Sequence, residues 1–248
     1  MEMKQNLIFG FPFLNAAGSL GFAPDFHAPL NWDEFGAFIT NPISLRPRLP
    51  AVAPQIFPLP GGFLLHSGLP NPGFSAALKL YAARWQRARL PVIVHLMADR
   101  PEEAARMVRA LENLENILAV ELGFAPRLAD DIPVLAVEMC RGELPLIVAL
   151  PEEQIFTAGR RCLEAGASAL SLAAPRGAIA LENGDQVSGR LFGPALFARS
   201  LLTVREAARA ALPLIGAGGV YSKENASAML AAGALAVQVD AVLWRGGF

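Results

Sequence analysis

Eight short apolar runs of β character recur along the chain, and each is followed by a stretch with helical spacing. Two of these stretches show helix boundaries clearly: residues 101–117 open with proline and two acids, and residues 222–233 open with serine and end in glycine. Apolar strands joined by helices predict a parallel sheet, and this repetition predicts a single α/β domain of the (β/α)8 barrel type. The runs span residues 13–18, 36–43, 91–97, 118–124, 145–151, 169–174, 213–219 and 236–241.

A doubly wound open sheet is the alternative architecture. Against it, no GxGxxG motif follows an early run, and the glycine-rich stretch GAGGV (216–220) comes only after the seventh. In barrels a phosphate is often held by the loops after strands seven and eight. The position of these glycines therefore favours the barrel.

Composition and charge exclude several classes of protein. Hydrophobic residues make up 53% of the 248 and charged residues 17%, as expected when a parallel sheet is buried on both faces. The net charge of −1 argues against nucleic-acid binding. We predict no membrane insertion and a cytoplasmic location, because every long apolar stretch is interrupted and residues 1–11 lack the apolar core of a signal peptide. Cys140 and Cys162 lie in helical patterns and are predicted to be buried thiols, with no metal site.

One domain is predicted over residues 1–248, with two segments that depart from the strand–helix alternation. A proline-rich excursion occupies residues 46–62. Residues 175–192 lie between the sixth run and its helix and contain the Gly and Asn residues of turns, which predicts a lid loop.

Six separated motifs resemble those of the dihydroorotate dehydrogenase family, in the same order and at similar spacing. They are NAAGSLG (15–21), TNPISLRPR (40–48), GLPNPGF (68–74), FGPAL (192–196), PLIGAGGV (213–220) and AGALAVQV (232–239). The resemblance spans nearly the whole chain and implies an FMN-dependent (β/α)8 barrel that oxidises dihydroorotate. It also implies a substrate contact for Asn71 and for Asn41. The cofactor contacts that it implies are small residues beside the flavin ring and groups around the phosphate, namely Ala16, Ala17, Gly18, Gly193, Gly218, Gly219, Asp240 and Ala241.

Several positions depart from the family pattern. Asn41 stands where the family has a lysine beside the flavin, Ala149 replaces a second lysine, and the segment ELGFAPR (121–127) lacks the catalytic cysteine or serine base. Asp240 replaces a glycine at the phosphate end, where a carboxylate would repel the phosphate. Asp240 has two alternative roles: it caps the final helix, or it binds a ribose-type hydroxyl.

New polar residues appear where the family residues are missing. His95, at the end of the third run, and His66, before SGLPN, are predicted to point towards the barrel mouth, and Glu121 lies on the fourth run nearby. These groups are candidates for an acid–base site, with His95 or His66 as the catalytic residue and Glu121 as a ligand contact. A weak metal site is a further interpretation of the same residues. The structural alternative is that each histidine is a hydrogen-bonded ring without catalytic function.

Two functions remain open from the sequence. The first is a divergent flavin oxidoreductase that does not oxidise dihydroorotate at the family's rate. The second is a non-catalytic or non-flavin barrel whose mouth binds a small molecule or a partner subunit. We expect FMN binding to be weak or lost. The resemblance further implies a homodimer or a separate electron-transfer subunit as partner.

Overall fold

The computed structural model describes residues 7–52, 55–126, 128–246 and 248. Twelve strands lie in this part of the chain: β1 (Phe13–Asn15), β2 (Phe35–Ile39), β3 (Ile56–Leu59), β4 (Gly62–Leu65), β5 (Val92–Met97), β6 (Ile117–Gly123), β7 (Leu146–Leu150), β8 (Ala169–Leu172), β9 (Arg176–Ala180), β10 (Gln186–Phe192), β11 (Leu214–Ile215) and β12 (Val237–Val239). The helices of the same residues are α1 (Phe74–Gln86), α2 (Pro101–Leu111), α3 (Asp131–Cys140), α4 (Glu152–Ile155), α5 (Gly159–Ala165), α6 (Phe197–Arg209) and α7 (Lys223–Ala231). Short 3-10 helices add Trp32–Glu34, Pro194–Leu196 and Ala241–Arg245.

Eight of the strands form one parallel sheet in the order β11-β8-β7-β6-β5-β2-β1-β12. The sheet closes on itself because Gly216, directly after β11, bridges Val237 of β12. Each of the eight apolar runs overlaps one of these strands, so the predicted (β/α)8 barrel is confirmed.

The alternation of strand and helix is incomplete at two places. Only 3-10 helices follow β1 and β12. Between β1 and β2 the chain contains Pro24 and Pro29, and it takes positive φ angles at Gly18 and Gly21. These residues disfavour a continuous α-helix, so the first connection runs as an irregular segment.

The barrel interior is filled in layers by side chains that alternate along the strands. The lower layer is apolar and is formed by Leu14, Ala37, Ile39, Ile93, Ala119, Ile147, Ile215 and Ala236, with Leu7 and Phe9 packed against it. A strand side chain returns to the same face two residues later. Towards the carboxyl ends of the strands, the next inward positions are therefore His95, Glu121, Ser171 and Gln238, and all four are buried.

A second, antiparallel sheet in the order β3-β4-β10-β9, here called the roof, is formed by two hairpins. The hairpins follow β2 and β8, so both begin at the carboxyl ends of barrel strands, where barrels carry their sites. The proline-rich excursion thus continues into β3 and β4, and the segment predicted as a lid folds as β9 and β10. That this segment opens as a lid stays a prediction.

The roof is attached to the barrel rim by aromatic contacts. Phe192 of β10 stacks on Phe63 of β4 with ring centroids 5.2 Å apart, and Trp244 packs 5.5 Å from Phe192. The Trp244 indole Nε1 donates a 2.6 Å hydrogen bond to the carbonyl of Ser19, beyond β1.

Three further sequence predictions concern thiols, membranes and metals. Cys140 and Cys162 are free and buried, as predicted, and burial raises the pKa of each thiol to about 12. Across the described ranges, no helix combines the length and the apolar character that crossing a membrane requires. The same residues contain no cluster of three or more His, Cys, Asp or Glu side chains that could hold a metal ion.

Candidate functional site

A buried carboxylate, Glu121, lies at the centre of the polar layer inside the barrel. Its Oε2 accepts a 2.6 Å hydrogen bond from His95 Nδ1 on the neighbouring strand β5. Its Oε1 accepts from Ser171 Oγ of β8 at 2.7 Å and from Gln238 Nε2 of β12 at 2.6 Å. Three strands of the barrel wall therefore supply donors to this one carboxylate.

The three hydrogen bonds determine the protonation of Glu121. Burial raises the pKa of the carboxyl, but the hydrogen bond and charge of His95, together with the bonds from Ser171 and Gln238, outweigh it and hold the pKa below its usual value of 4.5. Glu121 is therefore ionised at neutral pH. An ionised carboxylate only accepts hydrogen bonds, so His95 carries its proton on Nδ1.

The second ring nitrogen of His95 is the one available for chemistry. Nε2 has no hydrogen-bond partner among the described residues, and no fully buried side-chain nitrogen or oxygen there lacks one. Nε2 is therefore accessible to solvent, although the side chain is only 7% exposed. The backbone behind the ring is fixed because the His95 amide donates to Thr40 Oγ1 at 3.0 Å. A histidine held by a carboxylate in this way can accept or donate a proton at Nε2.

Gly123 makes room for the His95 ring. A β-carbon at residue 123 would lie 2.7 Å from His95 Cε1, with Nε2 closer still. Gly123 stands one inward position beyond Glu121 on β6. The ring thus occupies the volume that any side chain at residue 123 would need.

We expect Gly123→Ala to displace the imidazole ring and to lengthen or break its bond to Glu121. Forcing a methyl group into packed surroundings typically costs about 1–3 kcal/mol. Urea unfolding measures the stability, and the ¹⁵N resonances of the ring report its tautomer. Gly10→Ala is the matched control, because nothing lies within 4 Å of a β-carbon there. Unchanged stability and an unchanged tautomer in Gly123→Ala would contradict this account.

Arg190 of β10 reaches from the roof to the carboxyl end of β1. Its Nη1 donates a 3.3 Å hydrogen bond to the carbonyl of Ala17 and lies 3.2 Å from where a β-carbon on Gly18 would be. Burial and the charge of Arg176 together lower the pKa of the guanidinium to about 10, and the Glu121 charge acts in the opposite direction. The guanidinium therefore covers Ala17 and Gly18, the small residues that the resemblance assigned to the flavin ring.

Asp240 caps the last 3-10 helix, which is one of its two predicted alternatives. Its Oδ1 accepts the amide hydrogen of Ala241. Burial raises the pKa of Asp240 to about 6, against the hydrogen bonds from Ala241 and from its own amide. The carboxylate thus occupies one of the amide donors at the predicted phosphate end.

The remaining glycines of the predicted phosphate site have packing roles. Gly218 and Gly219 have φ angles of +94° and +72°, and β-carbons there would collide with Ser200 and Phe197 at the start of α6. A β-carbon at Gly193 would likewise collide with Gly61, in the turn between β3 and β4 of the roof. The amides of Gly218 and Gly219 find no hydrogen-bond acceptor within the described ranges.

The other predicted site residues hold loops together. Asn71 is buried; its Oδ1 accepts from the amides of Ser44 and Gly73, and its Nδ2 donates to Ser44 Oγ and to the Leu69 carbonyl. Asn41 Oδ1 accepts from the Gly21 amide at 3.1 Å. A direct ligand contact for either asparagine stays a prediction.

The two candidate histidines have different surroundings. His95 contacts Glu121 inside the barrel, whereas His66 Nδ1 forms a 2.7 Å hydrogen bond with the carbonyl of Ser188 in the roof. The sequence predicts His95 and Glu121 to be near each other, but it does not predict their hydrogen bond or the roles of Ser171 and Gln238. Both interrupt apolar strands at inward positions, and that period of two is the signal that could have identified them.

Comparisons with known proteins agree on one family. Residues 3–126 match the family model described as dihydroorotate dehydrogenase. The chain is 30% identical over 249 residues to the catalytic subunit of dihydroorotate dehydrogenase B (NAD(+)) from Pelobacter propionicus, covering 92% of this chain and 82% of that one. It is 31% identical over 251 residues to the subunit of the same name from Geobacter sulfurreducens, with the same coverage.

A solved structure also supports the fold. The crystal structure of the Eimeria tenella enzyme DHODH in complex with ferulenol superposes with a TM-score of 0.71 at 19% identity, over 95% of this chain and 77% of that one. Six ordered motifs, the closed barrel and these matches agree. The chain belongs to the dihydroorotate dehydrogenase family.

Proposed function

We propose that this protein is a divergent family member that binds FMN weakly or not at all, does not oxidise dihydroorotate at the family's rate, and binds a small molecule at the barrel mouth. The observation that carries the proposal is the position of Asp240. Its carboxylate holds the Ala241 amide hydrogen at the phosphate end of the predicted flavin site. A bound phosphate would have to compete for that donor beside a second negative charge.

The expected effect of Asp240 on phosphate binding is large. Two unit charges about 5 Å apart at an effective dielectric constant near 20 repel by roughly 3 kcal/mol, or about a hundredfold in affinity. At the other end of the site, the ring would have to displace the Arg190 guanidinium from Ala17 and Gly18. The side chains in these positions do not fit FMN.

In this proposal His95 is the proton donor or acceptor for the bound molecule. Glu121 keeps the Nδ1 proton in place and stabilises the imidazolium that forms when Nε2 takes up a proton. Ser171 and Gln238 hold the carboxylate in position behind it. This pair supplies acid–base chemistry at the carboxyl ends of β5 and β6.

A flavin-dependent oxidation of another substrate is the second candidate. It is favoured by the amides of Gly218 and Gly219, for which no partner is found among the described residues and which an anion could accept. Under either candidate we propose that the protein acts in the cytoplasm. The relatives are named as catalytic subunits, which supports a separate electron-transfer subunit as partner; a homodimer is the alternative.

Bound flavin tests the proposal directly. We expect much less than one flavin per chain to be released when the purified protein is denatured, measured by its visible absorbance. Asp240→Asn keeps a capping oxygen but removes the charge, and Asp240→Gly removes both. Both variants are expected to bind added FMN about a hundredfold more tightly than the wild type. One tightly bound FMN per wild-type chain would show the proposal to be wrong.

A further inference from the structure

Arg190 is a positive charge in the barrel mouth without a carboxylate partner in the described part of the chain. No Asp or Glu oxygen there lies within 4.0 Å of its guanidinium. A guanidinium has five N–H donors, and the Ala17 carbonyl accepts from one nitrogen of Arg190. Arg190 is partly exposed, and no fully buried side-chain nitrogen of these residues lacks a partner, so its remaining guanidinium nitrogens are in contact with solvent.

Glu121, the acid whose charge acts on Arg190, does not pair with it. Both oxygens of Glu121 are engaged by His95, Ser171 and Gln238. The remaining charged neighbour, Arg176, pairs with Arg190 across β9 and β10 and adds a second positive charge.

We propose that Arg190 binds the carboxylate of a small ligand over Ala17 and Gly18, in the same mouth as the His95–Glu121 pair. This inference rests on the proposed function, because it places the ligand where a flavin ring would lie. A planar carboxylate matches the two-pronged donor edge of a guanidinium. The ligand's other end then faces the barrel interior, where His95 Nε2 is accessible.

The charges of the mouth favour a carboxylate over a phosphate. Glu121 is a buried carboxylate whose charge acts on Arg190, and it would repel a phosphate dianion more strongly than a monoanion. A single carboxylate carries half that charge. Arg190 is therefore expected to select small monocarboxylates.

The test uses propionate as the probe and propionamide as its uncharged counterpart of the same shape. Ligand-observed NMR at constant ionic strength gives the dissociation constants. We expect the wild type to bind propionate but not propionamide, and Arg190→Gln to weaken propionate binding about tenfold or more. Arg205→Gln, at an exposed arginine of α6, is the matched control and is expected to bind as the wild type does.

Arg190→Lys keeps the charge but not the two-pronged geometry, and it is expected to bind propionate with intermediate affinity; this variant also tests the inference if Arg190→Gln does not fold. Three outcomes would each overturn the role proposed for Arg190. They are unchanged propionate binding in the Arg190 variants, no propionate binding by the wild type, and tighter binding of inorganic phosphate than of propionate. The flavin content of the same sample separates the two proposals. Protein that contains no flavin and does not bind propionate would contradict only the role of Arg190. One flavin per chain would contradict the proposed function.

Discussion

Dihydroorotate oxidation is expected to be slower by a factor of about 10² to 10⁴ than in an ordinary family member, even with FMN added, because a positioned base is missing. Where the family has its cysteine or serine base, this chain has Gly123 at the end of β6 and Ala125 in the loop that follows. The Ala125 amide is bonded to Asp99, which fixes the loop. Asn41 and Ala149 stand where the family has lysines.

The assay follows reduction of an electron-accepting dye with dihydroorotate as donor. The Pelobacter propionicus relative, a dihydroorotate dehydrogenase B catalytic subunit, is the positive control under the same conditions. A turnover number on the order of 10 per second for this protein would contradict the prediction.

Replacing Glu121 with leucine is expected to lower the free energy of unfolding by about 3–5 kcal/mol, because three buried donors lose their acceptor at about 1–3 kcal/mol each. His95, Ser171 and Gln238 would each lose an acceptor inside the barrel. Urea unfolding measures the change. Glu115→Leu, at an exposed position, is the control and is expected to stay within about 0.5 kcal/mol of the wild type. A loss below about 1 kcal/mol in Glu121→Leu would show that the three hydrogen bonds to Glu121 contribute little to stability.

The lowered pKa of Glu121 also predicts that the stabilities of the wild type and of Glu121→Leu depend differently on pH. The folded-state pKa of Glu121 lies below its usual value of 4.5, so its stabilising contribution is complete above that value and is lost as the pH falls through the lower folded-state pKa. The wild type is therefore expected to lose stability more steeply in acid than Glu121→Leu. Parallel stability curves below about pH 4.5 would contradict the lowered pKa.

The fold could be predicted from the sequence because alternation is a local signal. Each barrel strand is a buried run that needs no distant information to be recognised, and the proline-containing connection after β1 explains its missing helix. His95 and Glu121 were found for the same reason, since polar residues at inward positions of apolar strands are conspicuous.

Arg190 could not be placed from the sequence. It lies in a stretch that looks like a loop, and its position over Ala17 depends on the pairing of β10 with β4, more than a hundred residues earlier in the chain. The sequence leaves two roles open for Asp240, capping a helix or facing a ligand. The choice between them depends on the backbone at that one turn.

The pairing of the two hairpins limits how the mouth can open. Arg190, Leu191 and Phe192 of β10 pair with Leu65, Leu64 and Phe63 of β4. His66 adds a side-chain bond to the carbonyl of Ser188 on the same strand. The segment 175–192 therefore cannot swing away alone without breaking these bonds. If the segment opens as predicted, both hairpins would move as one body, and the guanidinium that covers Ala17 would travel with them.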